Sequence, residues 1–188
     1  MASKKPYTPA KTPARAAKPG TETCSRLARR RWAFSNLGTY VIRDIRNQPG
    51  TMSQHAAALA LDLGYNPKNR AEALEACAWF TQYADQLGIA LVNDYMAGDY
   101  GRTWLCSRAA WRTHTSNTIG IRGHWIHIEL HPWAANMAAD KYEALSGGPY
   151  RARRPKNPAP EVGHGCRLGG WGCASPRPHP PPPAYSAP

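Results

Sequence analysis

The placement of proline constrains this chain more than any other feature, because it limits where a packed core can form. All but three of the 18 prolines, namely Pro49, Pro67 and Pro132, lie in residues 1–31 or 149–188. The formal net charge of +12 follows the same partition, since Lys and Arg outnumber acids at both ends but not in residues 32–148. Basic, proline-rich segments bury too little apolar surface to offset the entropy of ordering. We therefore expect one domain, residues 32–148, between basic disordered tails at 1–31 and 149–188.

The two basic ends bear on which partners the chain attracts. Such tails are either solvated arms or weak contacts to phosphate-rich surfaces, meaning nucleic acid or the anionic polymers of a cell wall. A dedicated nucleic-acid binder is disfavoured, because the middle of the chain is nearly neutral and carries no recognition motif. We expect no transmembrane segment and no secretory signal, since no long apolar run occurs and none follows the basic start.

Hydrophobic periodicity predicts an α+β domain. Apolar residues recur at three- and four-residue steps over 70–87, which predicts a helix that begins after Asn69 and ends at Gly88. The segment 125–130 alternates with period two, so Ile126 and Ile128 should lie on one face of a strand. The remaining expectations are an extended segment at 38–43, a buried strand or its approach at 56–63, a β-type run at 89–93, a long loop over 95–118 with a short strand near Trp104, and a helix at 133–145.

The sharpest local feature is the segment Ser53-Gln-His-Ala-Ala-Ala-Leu-Ala-Leu-Asp62. His55 and Asp62 can converge if a turn precedes a strand, which would supply one nitrogen and one oxygen ligand. Zinc in catalytic sites takes three protein ligands and keeps one position open. The third ligand would come from far along the chain, and the segment Gly123-His-Trp-Ile-His127 is the obvious supplier.

This pattern resembles the signature S-x-H-x-x-G-x-A-x-D, followed by a distant His, of zinc peptidases that cleave D-Ala-D-Ala or L-Ala-D-Glu bonds in peptidoglycan. The family includes phage endolysins and shares its fold with the Hedgehog signalling domain. The resemblance covers residues 38–131 and implies Zn²⁺ bound by His55, Asp62 and His127. It also implies a small antiparallel sheet with flanking helices and a substrate in the wall stem peptide or cross-link. The protein would reach the wall from the host cytoplasm or the virion.

The resemblance also implies catalytic residues. An Arg upstream of the first motif stabilises the developing oxyanion in the family, and Arg43 or Arg46 would fill that role. The family places an acid three residues before the last ligand as general base. This chain has His124 there, and a neutral imidazole can accept a proton. Glu129, beyond His127 on the same strand face, is an alternative that the resemblance does not support.

Two departures from the family pattern shape the alternatives. Ala58 replaces the signature glycine, which is a mild change if its φ is negative. His124 replaces an acid, and this favours a second hypothesis: a catalytically weak or inactive zinc-binding protein of a phage particle, with basic arms for nucleic acid.

Overall fold

The computed structural model of the chain describes residues 2–45 and 48–145. The predicted tail at 149–188 and the end of the predicted domain at 146–148 lie outside these residues. The helices are α1 (Pro19–Arg31), α2 (Arg70–Gln82), α3 (Ala84–Leu87), α4 (Pro132–Ala135) and α5 (Ala139–Leu145). The strands are β1 (Phe34–Gly38), β2 (Asp44–Ile45), β3 (Gln48–Met52), β4 (Ala60–Tyr65), β5 (Ile89–Asp94), β6 (Arg102–Leu105), β7 (Ala110–Thr113) and β8 (Trp125–Leu130).

Six of these strands form one sheet in the order β1-β4-β8-β5-β6-β7, and each neighbouring pair is antiparallel. The short strands β2 and β3 pair separately. The prediction of an α+β fold with an antiparallel sheet and flanking helices is confirmed. In the part of the chain that the structure describes, no helix is long and apolar enough to cross a bilayer.

The two faces of the central strands differ in chemistry. Leu61 and Leu63 of β4, together with Ile126 and Ile128 of β8, are fully buried in the hydrophobic core. Successive side chains of a strand point to opposite faces. The residues between these four therefore lie on the other face, and the alternation predicted for 125–130 is confirmed.

The prediction that residues 1–31 form a disordered tail is wrong. Pro19–Arg31 is a helix with Pro at its start, Glu22 in its first turn and arginines in its last turn, which suits the helix dipole. Cys24, Leu27 and Ala28 recur at helical spacing and are buried in the core. Composition averaged over the whole segment concealed this apolar stripe.

Other boundaries also differ from the sequence-based expectation. The helix predicted over 70–87 is divided at Tyr83 into two helices, α2 and α3. As expected, α3 ends at Gly88, which has a left-handed conformation. The predicted loop 95–118 contains two strands, β6 and β7, where one was expected. The helix predicted over 133–145 is likewise divided into α4 and α5.

Helix α1 is tied to the sheet by a buried hydrogen bond. The Thr21 hydroxyl donates to the Ala58 carbonyl at 2.8 Å, and Thr21 is fully buried. We expect Thr21→Val to lower the free energy of unfolding by about 1–3 kcal/mol, because it leaves a buried carbonyl without this donor. Urea denaturation monitored by circular dichroism measures the change.

Ser25→Ala is the matched control on the same helix. The Ser25 hydroxyl is also buried, but it has no hydrogen-bond partner among the described residues. Removing it should leave stability unchanged or slightly higher. Equal effects of the two substitutions would show that the Thr21 hydrogen bond does not hold α1 to the domain.

Candidate metal centre

The site is built on a row of paired residues that crosses the sheet. Asp62 of β4 is the cross-strand partner of His127 in β8, and His127 is in turn the partner of Asn93 in β5. Directly opposed residues of an antiparallel pair have Cβ atoms roughly 4.5–5.5 Å apart. The register alone therefore places Asp62, His127 and Asn93 side by side on the face away from the core.

His55 reaches the same place from the turn that precedes β4. The Ser53 hydroxyl accepts the His55 backbone N–H at 3.3 Å, and the His55 carbonyl accepts the Ala58 N–H at 3.0 Å. Ala58 has a φ of +53°. Replacing the signature glycine by alanine would be a mild change only at a negative φ, so the change is not mild here. A left-handed alanine costs roughly 1–2 kcal/mol, which the contacts of this turn must offset.

His55, Asp62 and His127 form a group that could hold a metal ion. One ligand atom from each lies within 4.8 Å of the others. Ligand bonds to zinc are roughly 2.0–2.2 Å long, so two ligands of one tetrahedral ion lie about 3.3 Å apart.

The ring of His55 provides an independent test of this fit. His55 is only 2 % exposed, and neither of its ring nitrogens makes a hydrogen bond to any described residue. Its Nε2 lies 3.1 Å from Asp62 Oδ2, within ion-pair distance, so Nδ1 is the nitrogen without a polar partner. A buried ring nitrogen without a partner is costly. Coordination of a metal would remove that cost.

His127 has a carboxylate on each side of its ring. Its Nδ1 lies 2.8 Å from Asp62 Oδ1, and its Nε2 lies 3.1 Å from Glu129 Oε1. The Tyr7 hydroxyl donates to the other oxygen of Glu129 at 2.6 Å. A metal-binding His commonly donates its second ring N–H to a carboxylate. His127 therefore has one nitrogen toward the candidate ligands and one toward Glu129.

Burial and these partners shift the pKa values of the group. Burial alone would lower the pKa of His127, but its hydrogen bonds with Asp62 and Glu129 raise that pKa well above the usual value. Burial opposes ionisation of Asp62, yet His127 and His55 hold its pKa well below the usual range. Burial and Glu129 raise the pKa of Tyr7, so its hydroxyl stays protonated and donates.

The group opens into a cavity with walls from several segments. Arg43 and Lys11 contribute positive charge to its lining, and Tyr95 and Trp125 contribute aromatic surface. The two aromatic rings pack with centroids 4.8 Å apart. An extended molecule with both apolar and anionic groups would match such walls.

The structure does not bring His124 into this cavity. Its exposed side chain packs edge-on against Tyr65, with ring centroids 5.7 Å apart, and it is not among the described residues that line the cavity. His124 lies in a bend before the first residue of β8, Trp125. The expectation that His124 faces the metal group is therefore not met.

Of the two arginines expected to stabilise an oxyanion, Arg43 lines the cavity. Arg46 lies outside the described residues.

Two residues of the site were not foreseen from the sequence. Tyr7 lies in residues 1–31, for which composition predicts a disordered tail. Asn93 lies in a predicted strand, and its Oδ1 accepts the Thr103 hydroxyl at 2.6 Å. That hydrogen bond fixes the amide of Asn93 beside His127. Alternation within 89–93 assigns Asn93 to one of the two faces of the strand. Only the pairing of β5 with β8 shows that this is the face that carries His127.

Comparisons with protein-family models, with curated proteins and with solved structures give no match for this chain.

The first prediction for this site concerns metal binding. His127→Ala should weaken Zn²⁺ binding by more than about 100-fold, since losing a residue that only supports a ligand already weakens binding about 10–100-fold. Competition with a chromogenic chelator measures the affinity. His124→Ala is the matched control and should change the affinity less than about twofold. A larger loss for His124→Ala than for His127→Ala would contradict this assignment of ligands.

The second prediction concerns the pH dependence of the metal-free protein. The raised pKa of His127 contributes stability that is complete below about pH 6.5, the unfolded value, and is lost as the pH rises through the higher folded value. The lowered pKa of Asp62 contributes stability that is present above its unfolded value of 3.8 and is lost as the pH falls. Stability from this pair should therefore be greatest between these two unfolded values.

Urea denaturation between pH 5 and 9 in the presence of a chelator tests this expectation. The stability advantage of the wild type over His127→Gln should shrink as the pH rises above about 6.5. An advantage that grows with pH would show that His127 is not charged beside Asp62 in the metal-free protein.

Proposed function

We propose that this protein is a zinc-dependent peptidoglycan peptidase of phage type, which cleaves a peptide bond in the stem peptide or cross-link of the bacterial wall. The observation that carries the proposal is the convergence of His55, Asp62 and His127 on one buried group that opens into a cavity. Two imidazoles and one carboxylate are a ligand set typical of catalytic zinc. The resemblance of residues 53–62 to the peptidase signature supports the substrate class and a Hedgehog/DD-peptidase-like fold.

The chemistry divides between the ion and the side chains of the chain. Zinc bound by this group would supply a Lewis acid that activates water and polarises a peptide carbonyl. Arg43 lines the cavity, and its guanidinium would stabilise negative charge that develops on the carbonyl oxygen. Asn93 offers a neutral amide beside His127 as a second donor.

The cavity also favours a particular kind of substrate. Lys11 and Arg43 provide cationic groups for the carboxylates of a stem peptide, and such charge-assisted contacts are strong. Leu37 and Ile121, both in the lining and more than half exposed, offer apolar contacts for alanine side chains. Both features suit a short peptide that carries alternating apolar and acidic groups.

Cell-wall hydrolysis tests the proposed activity. Purified wall suspensions should lose turbidity with zinc-loaded wild type, and mass spectrometry of the fragments should identify the cleaved bond. We expect His127→Ala to reduce the rate at least about 10³-fold, because the variant would not retain the zinc ion that activates water. Arg43→Ala should reduce it by about 10²–10³-fold, as removal of an oxyanion donor does. Undiminished hydrolysis by a metal-free preparation would contradict the proposal.

A second candidate function is a zinc-binding structural or interaction protein of a phage particle with little catalytic activity. This candidate is supported by the lack of a free proton acceptor among the described residues that line the cavity. His124 lies away from the cavity, and the carboxylates among the described lining residues, Asp62 and Glu129, are both engaged by His127. This candidate predicts zinc binding with no wall hydrolysis, together with retardation of DNA in a gel at moderate salt.

A further inference from the structure

The N-terminal arm, defined as residues 2–18, runs along the domain and contacts both ligand-bearing segments. Near its start, the Ser3 hydroxyl donates to Asp85 at 2.8 Å, and the Lys5 amine pairs with the same carboxylate at 3.0 Å. The Lys5 backbone N–H donates to the Cys106 carbonyl at 3.1 Å. The arm is thus attached to the domain before it reaches the candidate metal centre.

The middle of the arm contacts strand β8 at the site. The Tyr7 hydroxyl donates to Glu129, 122 residues away, and that carboxylate also contacts His127 Nε2. Glu129 is buried, so each of its oxygens needs a partner. Tyr7 and His127 supply one each. The orientation of the Glu129 carboxylate is therefore set from two sides.

The end of the arm contacts the turn that carries His55. Ala10 exchanges two hydrogen bonds with the Gln54 side chain, at 3.0 and 3.3 Å. The Ala14 N–H donates to the Ala56 carbonyl at 2.8 Å. Gln54 and Ala56 are the two chain neighbours of His55. The arm therefore holds the His55 turn directly, while it holds His127 through Glu129.

We propose that the N-terminal arm is part of the metal centre, with Tyr7 as a positioning residue that fixes Glu129 and, through it, the ring of His127. The arm joins two ligand-bearing segments that are otherwise distant in the sequence. Residues that orient a metal ligand affect affinity about 10–100-fold when they are removed. Because Tyr7 acts through one further hydrogen bond, its contribution is smaller. This inference rests on the metal-binding part of the proposed function and not on peptidase activity.

Tyr7→Phe in the full-length chain tests the inference, because it removes the hydroxyl and keeps the ring. We expect the zinc dissociation constant, measured by chelator competition, to rise about three- to tenfold. We also expect the visible absorption bands of the Co²⁺-loaded protein to shift, since the His127 ring is less constrained.

Variants of Glu129 test the same chain of contacts one step closer to the metal. Glu129→Ala should weaken zinc binding about 10–100-fold. Glu129→Gln should weaken it less, because the glutamine keeps an acceptor for His127.

Asp85→Asn is the matched control for general loosening of the arm. It weakens the Ser3 and Lys5 attachments but touches no residue of the metal group, so zinc affinity should change less than about twofold. Tyr7→Phe with wild-type affinity and an unchanged Co²⁺ spectrum would overturn the inference, as would equal effects of Asp85→Asn and Tyr7→Phe. A wild type that binds neither metal would refute the proposed metal centre itself, and the inference with it. Zinc binding without wall hydrolysis would count against the peptidase alone.

Discussion

The cross-strand pairing of Asp62 with His127 is the constraint on which the site depends. Strands β4 and β8 are antiparallel neighbours inside the sheet, and their register places these two residues opposite each other. A slip of β4 by one residue against β8 would turn Asp62 into the core and would expose Leu61. Burial of the apolar face therefore fixes the position of the polar one. The same energy that stabilises the fold aligns the candidate ligands.

Much of this arrangement could be predicted from the sequence because it follows from short-range patterns. Alternation in 125–130 assigns His127 and Glu129 to one face, and the spacing of His55 and Asp62 suits a turn followed by a strand. The position of His124 does not follow from that alternation, because His124 precedes Trp125, the first residue of β8. Only the structure shows that its side chain packs against Tyr65 and does not line the cavity.

The contribution of the N-terminal residues could not be predicted in the same way. The arm is held by hydrogen bonds from single positions, such as Tyr7 and Ala14, to partners far along the chain. Such contacts leave no periodic signal. Helix α1 does carry a signal in the spacing of Cys24, Leu27 and Ala28. The arginines of α1 and the neighbouring prolines dominate the composition of residues 1–31, and composition carries no information on spacing.

The turn around His55 shows why the N-terminal residues matter to the site. Ala58 holds a left-handed conformation that persists only where the surroundings over-determine it. The hydroxyl of Thr21 binds the Ala58 carbonyl, the N–H of Ala14 binds the neighbouring Ala56, and Ser53 binds His55 from within the turn. Two of these three supports come from the first 31 residues. A chain with glycine in place of Ala58 would adopt this turn without strain, so the alanine makes the site depend on its N-terminal segment.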